Sequence, residues 1–293
     1  MGIAALRITR SVAELRQMVG AWRAGGERIG LVPTMGALHA GHLALVTAAQ
    51  ARCRRAVVSI FVNPKQFGPR EDFSSYPRPE ADDLAKLAGA GADLAFIPAV
   101  AEMYPEGFTT TISLGGPANP LEGAHRPGHF DGVATIVAKL LIQVAPDAVF
   151  FGEKDYQQLM VVRRMARDLN LPVEIVGVPT VREPDGLALS SRNVYLSPEE
   201  RRIAPRLHQV MRDAAAAIVG GAPPALVLER AVATLSDAGF AVEYLELRDA
   251  DTLAPLTAAP SKPARLLAAA HLGKTRLIDN IAVRRPDARV ITR

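Results

Sequence analysis

Apolar runs of strand length recur through residues 1–181, and a helix-patterned segment separates most of them from the next. The runs are Ile29–Val32, Ala56–Val62, Asp93–Pro98, Ala148–Phe151 and Val173–Val181. Between or before them, Ser11-Val12-Ala13-Glu14 has the form of a capping box opening a helix through Trp22. Helical periodicity returns over Pro79–Ala90, Val133–Val144 and Tyr156–Leu169. Runs rich in β-branched residues, without polar alternation, belong to strands buried on both faces, which is the condition of a parallel sheet. Strands and helices alternating at this spacing predict an α/β fold with a doubly wound parallel sheet, in which ligands sit beyond the carboxyl ends of the strands.

After Val181 the pattern changes. Ser197-Pro198-Glu199-Glu200 is a capping signal with proline at the first helical position, Pro205 interrupts the helix early, and a further helix is expected over Ala225–Ala238. Strand-like runs follow at Val242–Leu247, Ala264–His271 and Thr275–Asn280, the last two joined as a hairpin at Leu272-Gly273-Lys274. The expected organisation is a Rossmann-like domain over 1–181 and a smaller α+β domain over 182–293.

Polar residues gather where the predicted strands end. The first long run opens onto Pro33-Thr34-Met35-Gly36-Ala37-Leu38-His39-Ala40-Gly41-His42, a strand, a glycine-containing loop and a helix start. Two histidines three apart at a helix start are expected to turn the same way, while free N–H groups point at an anion. Asn63 and Gln66 follow the second run, Lys154, Asp155 and Gln158 follow the fourth, and Ser190-Ser191-Arg192 follows the fifth. Lys154 and Arg192 would bring positive charge to phosphate oxygens, and the serines hydroxyl donors. Asn63 and Gln66 suit hydrogen bonds to hydroxyl or carboxylate oxygens, although Asn63 taken alone reads equally well as a turn-forming cap.

Composition narrows the function classes. The formal charge is +4, but the basic residues are dispersed and the densest cluster is Arg52-Cys53-Arg54-Arg55, so no nucleic-acid partner is expected. A single cysteine, Cys53, rules out an intramolecular disulfide and a cysteine-built zinc site, and reads as a plain packed thiol. No stretch reaches the ~18 apolar residues of a membrane span, and Met1–Arg7 lacks a leader pattern, so a cytoplasmic protein without a membrane partner is expected. His125 and His129 stand four apart, but Pro127 and Gly128 disfavour a shared helical face, so they are not expected to ligate a metal.

Taken together, PTMGALHAGH at 33–42, SIFVNPKQFGPREDFSSYPR at 59–78, LEGAHRPGHFDGVATIVAKL at 121–140, FFGEKDYQQL at 150–159 and LSSRNVYLS at 189–197 resemble the pantoate–β-alanine ligase family. These enzymes belong to the nucleotidyltransferases with HxGH-type loops. The FVNPxQF and FGEKDxQQ segments are far more specific than HxGH, and Leu189 stands where the family usually has Met.

The resemblance implies an ATP-dependent ligase that condenses pantoate with β-alanine through a pantoyl adenylate, releasing pyrophosphate and then AMP. It implies that His39 and His42 contact the triphosphate, with His42 a proton donor to the leaving pyrophosphate because imidazole titrates near working pH. Met35, Gly36, Ala37, Leu38, Ala40 and Gly41 would border adenine and phosphates. Gly152, Glu153 and Asp155 would hold the ribose region, and Val181 would touch the base. Lys154, Leu189, Ser190, Ser191 and Arg192 would form the phosphate clamp, with Lys154 and Arg192 also catalytic. Gln66, Gln158, Asn63 and Tyr76 would hold pantoate, and Arg126 and His129 would belong to a flap at the same substrate. Mg²⁺ is expected with the nucleotide, with Asp82 and Asp83 as water-mediated partners or simply a solvated helix face. A homodimer, and a second domain covering the site, are also implied. Two other readings stay open: a nucleotidyltransferase that leaves the nucleotidyl group on a phosphorylated acceptor, and a nucleotide-binding module without turnover.

Overall fold

The computed structural model describes residues 5–69 and 71–283. The chain divides into two units, Met1–Val181 and Arg182–Arg293.

The first unit runs β1 (Arg7–Thr9), α1 (Val12–Ala24), β2 (Ile29–Thr34), α2 (Ala40–Arg52), β3 (Arg55–Ile60), α3 (Glu80–Gly89), β4 (Leu94–Phe96), α4 (Val100–Met103), α5 (Glu122–His125), α6 (His129–Val144), β5 (Ala148–Gly152), α7 (Tyr156–Asp168) and β6 (Glu174–Val178). All six strands are parallel, in the order β1-β4-β3-β2-β5-β6. The chain therefore builds outward from β2 through β3 to β4, and then crosses back to lay β5 and β6 on the other side of β2. This reversal between β2 and β5 is the switch point at which a doubly wound sheet opens a crevice beyond its strand ends.

Burial on both faces follows from sequence. Val32, Ala56, Val58, Ile60, Ala95, Ala148 and Phe150 face Leu45, Val46 and Ala49 of α2 and Leu87 of α3. Their alternating neighbours Leu31, Val57, Leu94, Phe96 and Val149 are equally buried, and α6 and α7 contact the sheet and one another, with α1 against α6. Cys53 is buried in the first of these layers, as expected for a packed thiol.

Two differences from the sequence reading have local causes. The short strand β1 carries no sequence signal, because three residues with two exposed positions give no period to read. Helix α6 begins at His129, four residues before the apolar period becomes visible. Gly128 precedes it in the left-handed region at φ +79°, and the Arg126-Pro127-Gly128 stretch reads as loop.

The second unit contains α8 (Pro198–Ile203), α9 (Arg206–Val219), α10 (Pro224–Asp237), β7 (Phe240–Asp249), β8 (Ala264–Leu272) and β9 (Thr275–Val283). Ser197 and Glu200 form the anticipated capping box, and the antiparallel β7-β8-β9 sheet turns tightly between Leu272 and Thr275. Its core joins Leu207, Met211 and Ile218 of α9 and Leu235 of α10 to Leu245, Leu266 and Ala268 of the sheet. Asp279, buried on β9, receives both Nη atoms of Arg182 at 2.7 and 2.8 Å.

Candidate active site

The loop between β2 and α2 is held by a residue far away in sequence. Gly36 at φ +87° and Ala37 at φ +50° turn the chain sharply, and the N–H groups of Ala37 and Leu38 then donate to the two carboxylate oxygens of Asp83 on α3, at 2.8 and 2.7 Å. A Cβ on Gly36 would lie 3.1 Å from Asp83 Oδ2 and 3.2 Å from Ile60, so both its torsion and its surroundings call for glycine. One turn along α3, Lys86 Nζ donates to the Leu38 carbonyl at 2.7 Å and pairs with Asp82 at 2.6 Å. The same helix thus holds a donor side and an acceptor side of the loop. Asp83 is 1 % exposed, which overturns the reading of this residue as part of a solvated face.

His39 caps α2, its Nδ1 accepting from the Gly41 N–H at 3.1 Å, while His42 Nδ1 accepts from the His39 N–H at 3.3 Å. The rings lie 4.1 Å apart. Because a backbone N–H can only donate, both Nδ1 atoms are acceptors and the neutral rings carry their protons on Nε2. The His42 N–H in turn donates to the His39 carbonyl at 2.9 Å. Most of the N–H groups expected to face an anion are engaged inside the protein, those of Ala37, Leu38, His39, Gly41 and His42. The two imidazoles add Nε2–H donors to the loop.

Burial, and then the Lys154 charge, lower the His39 pKa to about 4; burial, His39 and Lys154 lower that of His42 to about 3. The expectation that His42 titrates near working pH is thereby corrected, and in the free protein it is a neutral hydrogen-bond donor.

Lys154 stands in the 3-10 turn Glu153–Asp155 at the end of β5, the strand paired with β2, so its ammonium and the histidines face the same switch point. Its Nζ is 3.7 Å from Asp155 Oδ1. Of the two glutamines that open α7, Gln157 is buried and pins the preceding loop, accepting from the Glu122 N–H and donating to the Pro117 and Pro120 carbonyls. Gln158, beside it on α7, is partly exposed.

Beyond β3, Asn63 caps the 3-10 turn Pro64–Gln66 and is 1 % exposed. Its Nδ2 donates to Gln66 Oε1 and the Gly132 carbonyl, while its Oδ1 accepts from the Lys65 N–H and the Tyr104 hydroxyl. With four partners the amide is saturated, and the expectation of direct substrate contact gives way to one of support for Gln66. Gln66 Nε2 lies 3.2 Å from Met35 Sδ, against the histidine loop. Tyr76, expected at the substrate, is 4 % exposed and sits edge-on to Phe67.

Arg126 and His129 form a brace. Arg126 grips Glu71 through Nε and Nη2 at 2.8 and 2.7 Å, and its Nη1 donates to His129 Nε2 at 3.2 Å, while His129 Nδ1 donates to the Gln66 carbonyl at 2.9 Å. Burial, then Arg126, lowers the His129 pKa to about 4. The flap assignment is thereby revised, since both side chains are occupied in holding Gln66 and Glu71.

Gly132 on α6 lies directly on the same loop: a Cβ there would be 2.2 Å from the Lys65 carbonyl oxygen and 2.6 Å from the Gln66 nitrogen. Gly132→Ala is expected to lose about 3 kcal/mol of stability, read as a lower urea midpoint, because backbone and not a flexible side chain must move.

The buried neutral histidines also set a pH dependence. His129 takes up no proton in the folded state until about pH 4, whereas an unfolded histidine does so near 6.5. Its contribution is thus present above 6.5 and is lost as pH falls, by up to ~1.4 kcal/mol per pH unit. His129→Gln is expected to flatten the loss of stability between about pH 6.5 and about pH 4.5 in urea titrations; a slope equal to the parent's would contradict this.

In the second unit, residues 182–190 lead through the Arg182–Ala188 bridge to the 3-10 turn Ser191–Tyr195, which Ser190 caps by accepting from the Arg192 N–H at 3.3 Å. Leu189, Ser190, Ser191 and Arg192 are partly exposed.

The parallel sheet thus places an HxGH loop and a lysine together at its switch point, the crevice in which an α/β fold of this class binds its ligands. A family model described as pantoate-beta-alanine ligase matches residues 7–282, and the chain belongs to that family. It is 58 % identical over 280 residues to the pantothenate synthetase of Rhodospirillum rubrum, covering 95 % of this chain and 99 % of the relative. The Caulobacter vibrioides pantothenate synthetase is likewise 58 % identical, over 94 % of this chain and 98 % of the relative. Among solved structures, the pantothenate synthetase of Thermus thermophilus superposes with a TM-score of 0.89 at 50 % identity, covering 96 % of this chain and all of that one. The Francisella tularensis pantoate-beta-alanine ligase, complexed with beta-gamma ATP and beta-alanine, gives 0.81 at 34 % identity over 94 % and 97 %.

Proposed function

We propose that this chain joins pantoate to β-alanine in two ATP-dependent steps. A pantoate carboxylate oxygen attacks the α-phosphorus of ATP, the bond to the β-phosphate bridge breaks, and pyrophosphate leaves. The neutral β-alanine amine then attacks the acyl carbon of the pantoyl adenylate, loses a proton, and expels AMP. The observation that carries this reading is the meeting at the β2/β5 switch point of two Nε2–H donors and the Lys154 ammonium, with the Gln66 amide against the same loop.

His39, His42 and Lys154 oppose the charge that spreads over the phosphates as the bond to pyrophosphate breaks. Gln66 and Gln158 hold pantoate; Met35, Gly152, Glu153, Asp155 and Val181 border the nucleoside. Leu189, Ser190, Ser191 and Arg192 enter as a phosphate clamp on the family resemblance.

Mg²⁺ belongs with the triphosphate, where it would neutralise charge. The described residues contain no cluster of three or more metal-ligating side chains; of the two expected water-mediated partners, Asp83 is buried with each oxygen accepting a backbone N–H and Asp82 pairs with Lys86. The phosphates and water would then supply its coordination. A homodimer and a cytoplasmic location complete the reading; no described helix is long and apolar enough to cross a membrane.

The test is pyrophosphate release with ATP and pantoate, followed by AMP formation on adding β-alanine. A stable dinucleotide-like product, or no pyrophosphate with any acid and amine, would sink the ligase reading.

A further inference from the structure

Four bonds of fixed polarity determine which end of Gln66 is turned away from Asn63. The Lys65 N–H can only donate, so the Asn63 atom it meets at 3.3 Å is Oδ1; the Gly132 carbonyl can only accept, so the atom it meets at 3.1 Å is Nδ2. The Tyr104 hydroxyl, 2.8 Å from Oδ1, must then donate, and the Gln66 atom 2.9 Å from Nδ2 must be the acceptor Oε1. Gln66 Nε2–H is left as the end turned away from Asn63, and among the described residues it lies 3.2 Å from the weak acceptor Met35 Sδ.

Tyr104 is well placed to hold this order. Its ring packs against Phe61 and Phe108 at 6.1 and 5.1 Å, with the Lys65 and Lys139 ammoniums 5.3 and 5.9 Å from its centroid. Burial raises its pKa, so the hydroxyl keeps its proton.

We propose that Tyr104 is a positioning residue which, through Asn63, makes Gln66 present an amide donor to the bound acid, so that this side of the site selects a carboxylate or hydroxyl oxygen. The proposal rests on the reading of Gln66 as a pantoate contact. Loss of one such hydrogen bond in Tyr104→Phe is expected to raise the KM for pantoate roughly fivefold while leaving the KM for ATP and kcat close to the parent's. In an Asn63→Ala background the same change should add nothing, because the relay is already broken. Gln66→Glu keeps an acceptor for Asn63 but replaces that donor with a negative acceptor, and should raise the pantoate KM more than Gln66→Ala does.

Steady-state kinetics of the full chain read every arm. If Gln66→Ala leaves the pantoate KM unchanged, the reading beneath the proposal fails. If Gln66→Ala raises it but Tyr104→Phe does not, or raises pantoate and ATP KM alike, the relay fails on its own. Gln66→Glu binding pantoate as tightly as the parent would overturn the assigned polarity.

Discussion

Asp83→Ala is expected to lower kcat/KM for AMP formation about a hundredfold while the chain still folds. The carboxylate takes the N–H groups of Ala37 and Leu38 on both oxygens, and these are charge-assisted bonds. Losing them withdraws ~3 kcal/mol from the one arrangement that sets the histidines, and this converts to about two decades if it is all expressed in the transition state. Asp83→Asn retains one acceptor and should fall between alanine and the parent. Steady-state rates, with far-ultraviolet circular dichroism to confirm folding, decide the matter; near-normal turnover of Asp83→Ala would show that the loop holds its shape without α3.

His42→Ala is expected to reduce pyrophosphate release from ATP and pantoate by about 10²–10⁴. The loss has two sources: the Nε2–H donor itself, and the Nδ1 that fixes the His39 N–H at 3.3 Å. Because His42 titrates near pH 3, its protonation should leave no inflection in the rate profile between about pH 6 and 8. Single-turnover pyrophosphate release measures the first expectation and the profile the second. A step in that range that disappears in His42→Ala would restore the proton-donor role.

The strands and most helices are readable because their signals are local. β-branched runs, the Ser197–Glu200 capping box and proline at position 205 act within a few residues of themselves. So is the clustering of polar residues at strand ends, which is a consequence of topology that alternation alone predicts. What escapes is what depends on register between distant segments.

Asp82 and Asp83 look alike in sequence, yet one pairs with Lys86 at the surface and the other is buried in the loop. A signal is present, because Asp83 stands four residues before the fully buried Leu87 and therefore on the inward stripe of α3. Gln157 and Gln158 are likewise adjacent and chemically identical, and only the α7 packing assigns one to the loop and the other to solvent. Asn63 reads correctly as a turn cap, but Tyr104 and Gly132, its partners 41 and 69 residues away, carry no sequence mark of that role.

The brace from Glu71 through Arg126 and His129 to the Gln66 carbonyl has a mechanical meaning. Together with the close seat of Gly132 on the Lys65 backbone, it couples Lys65, Gln66 and Glu71 to the first turn of α6 by one ion pair, two hydrogen bonds and a steric stop. Residues 65 and 66, so tethered, cannot fluctuate on their own. Any opening there must carry the start of α6 with it, so amide exchange at Gln66 and at Gly132 should follow one common unfolding event and not two.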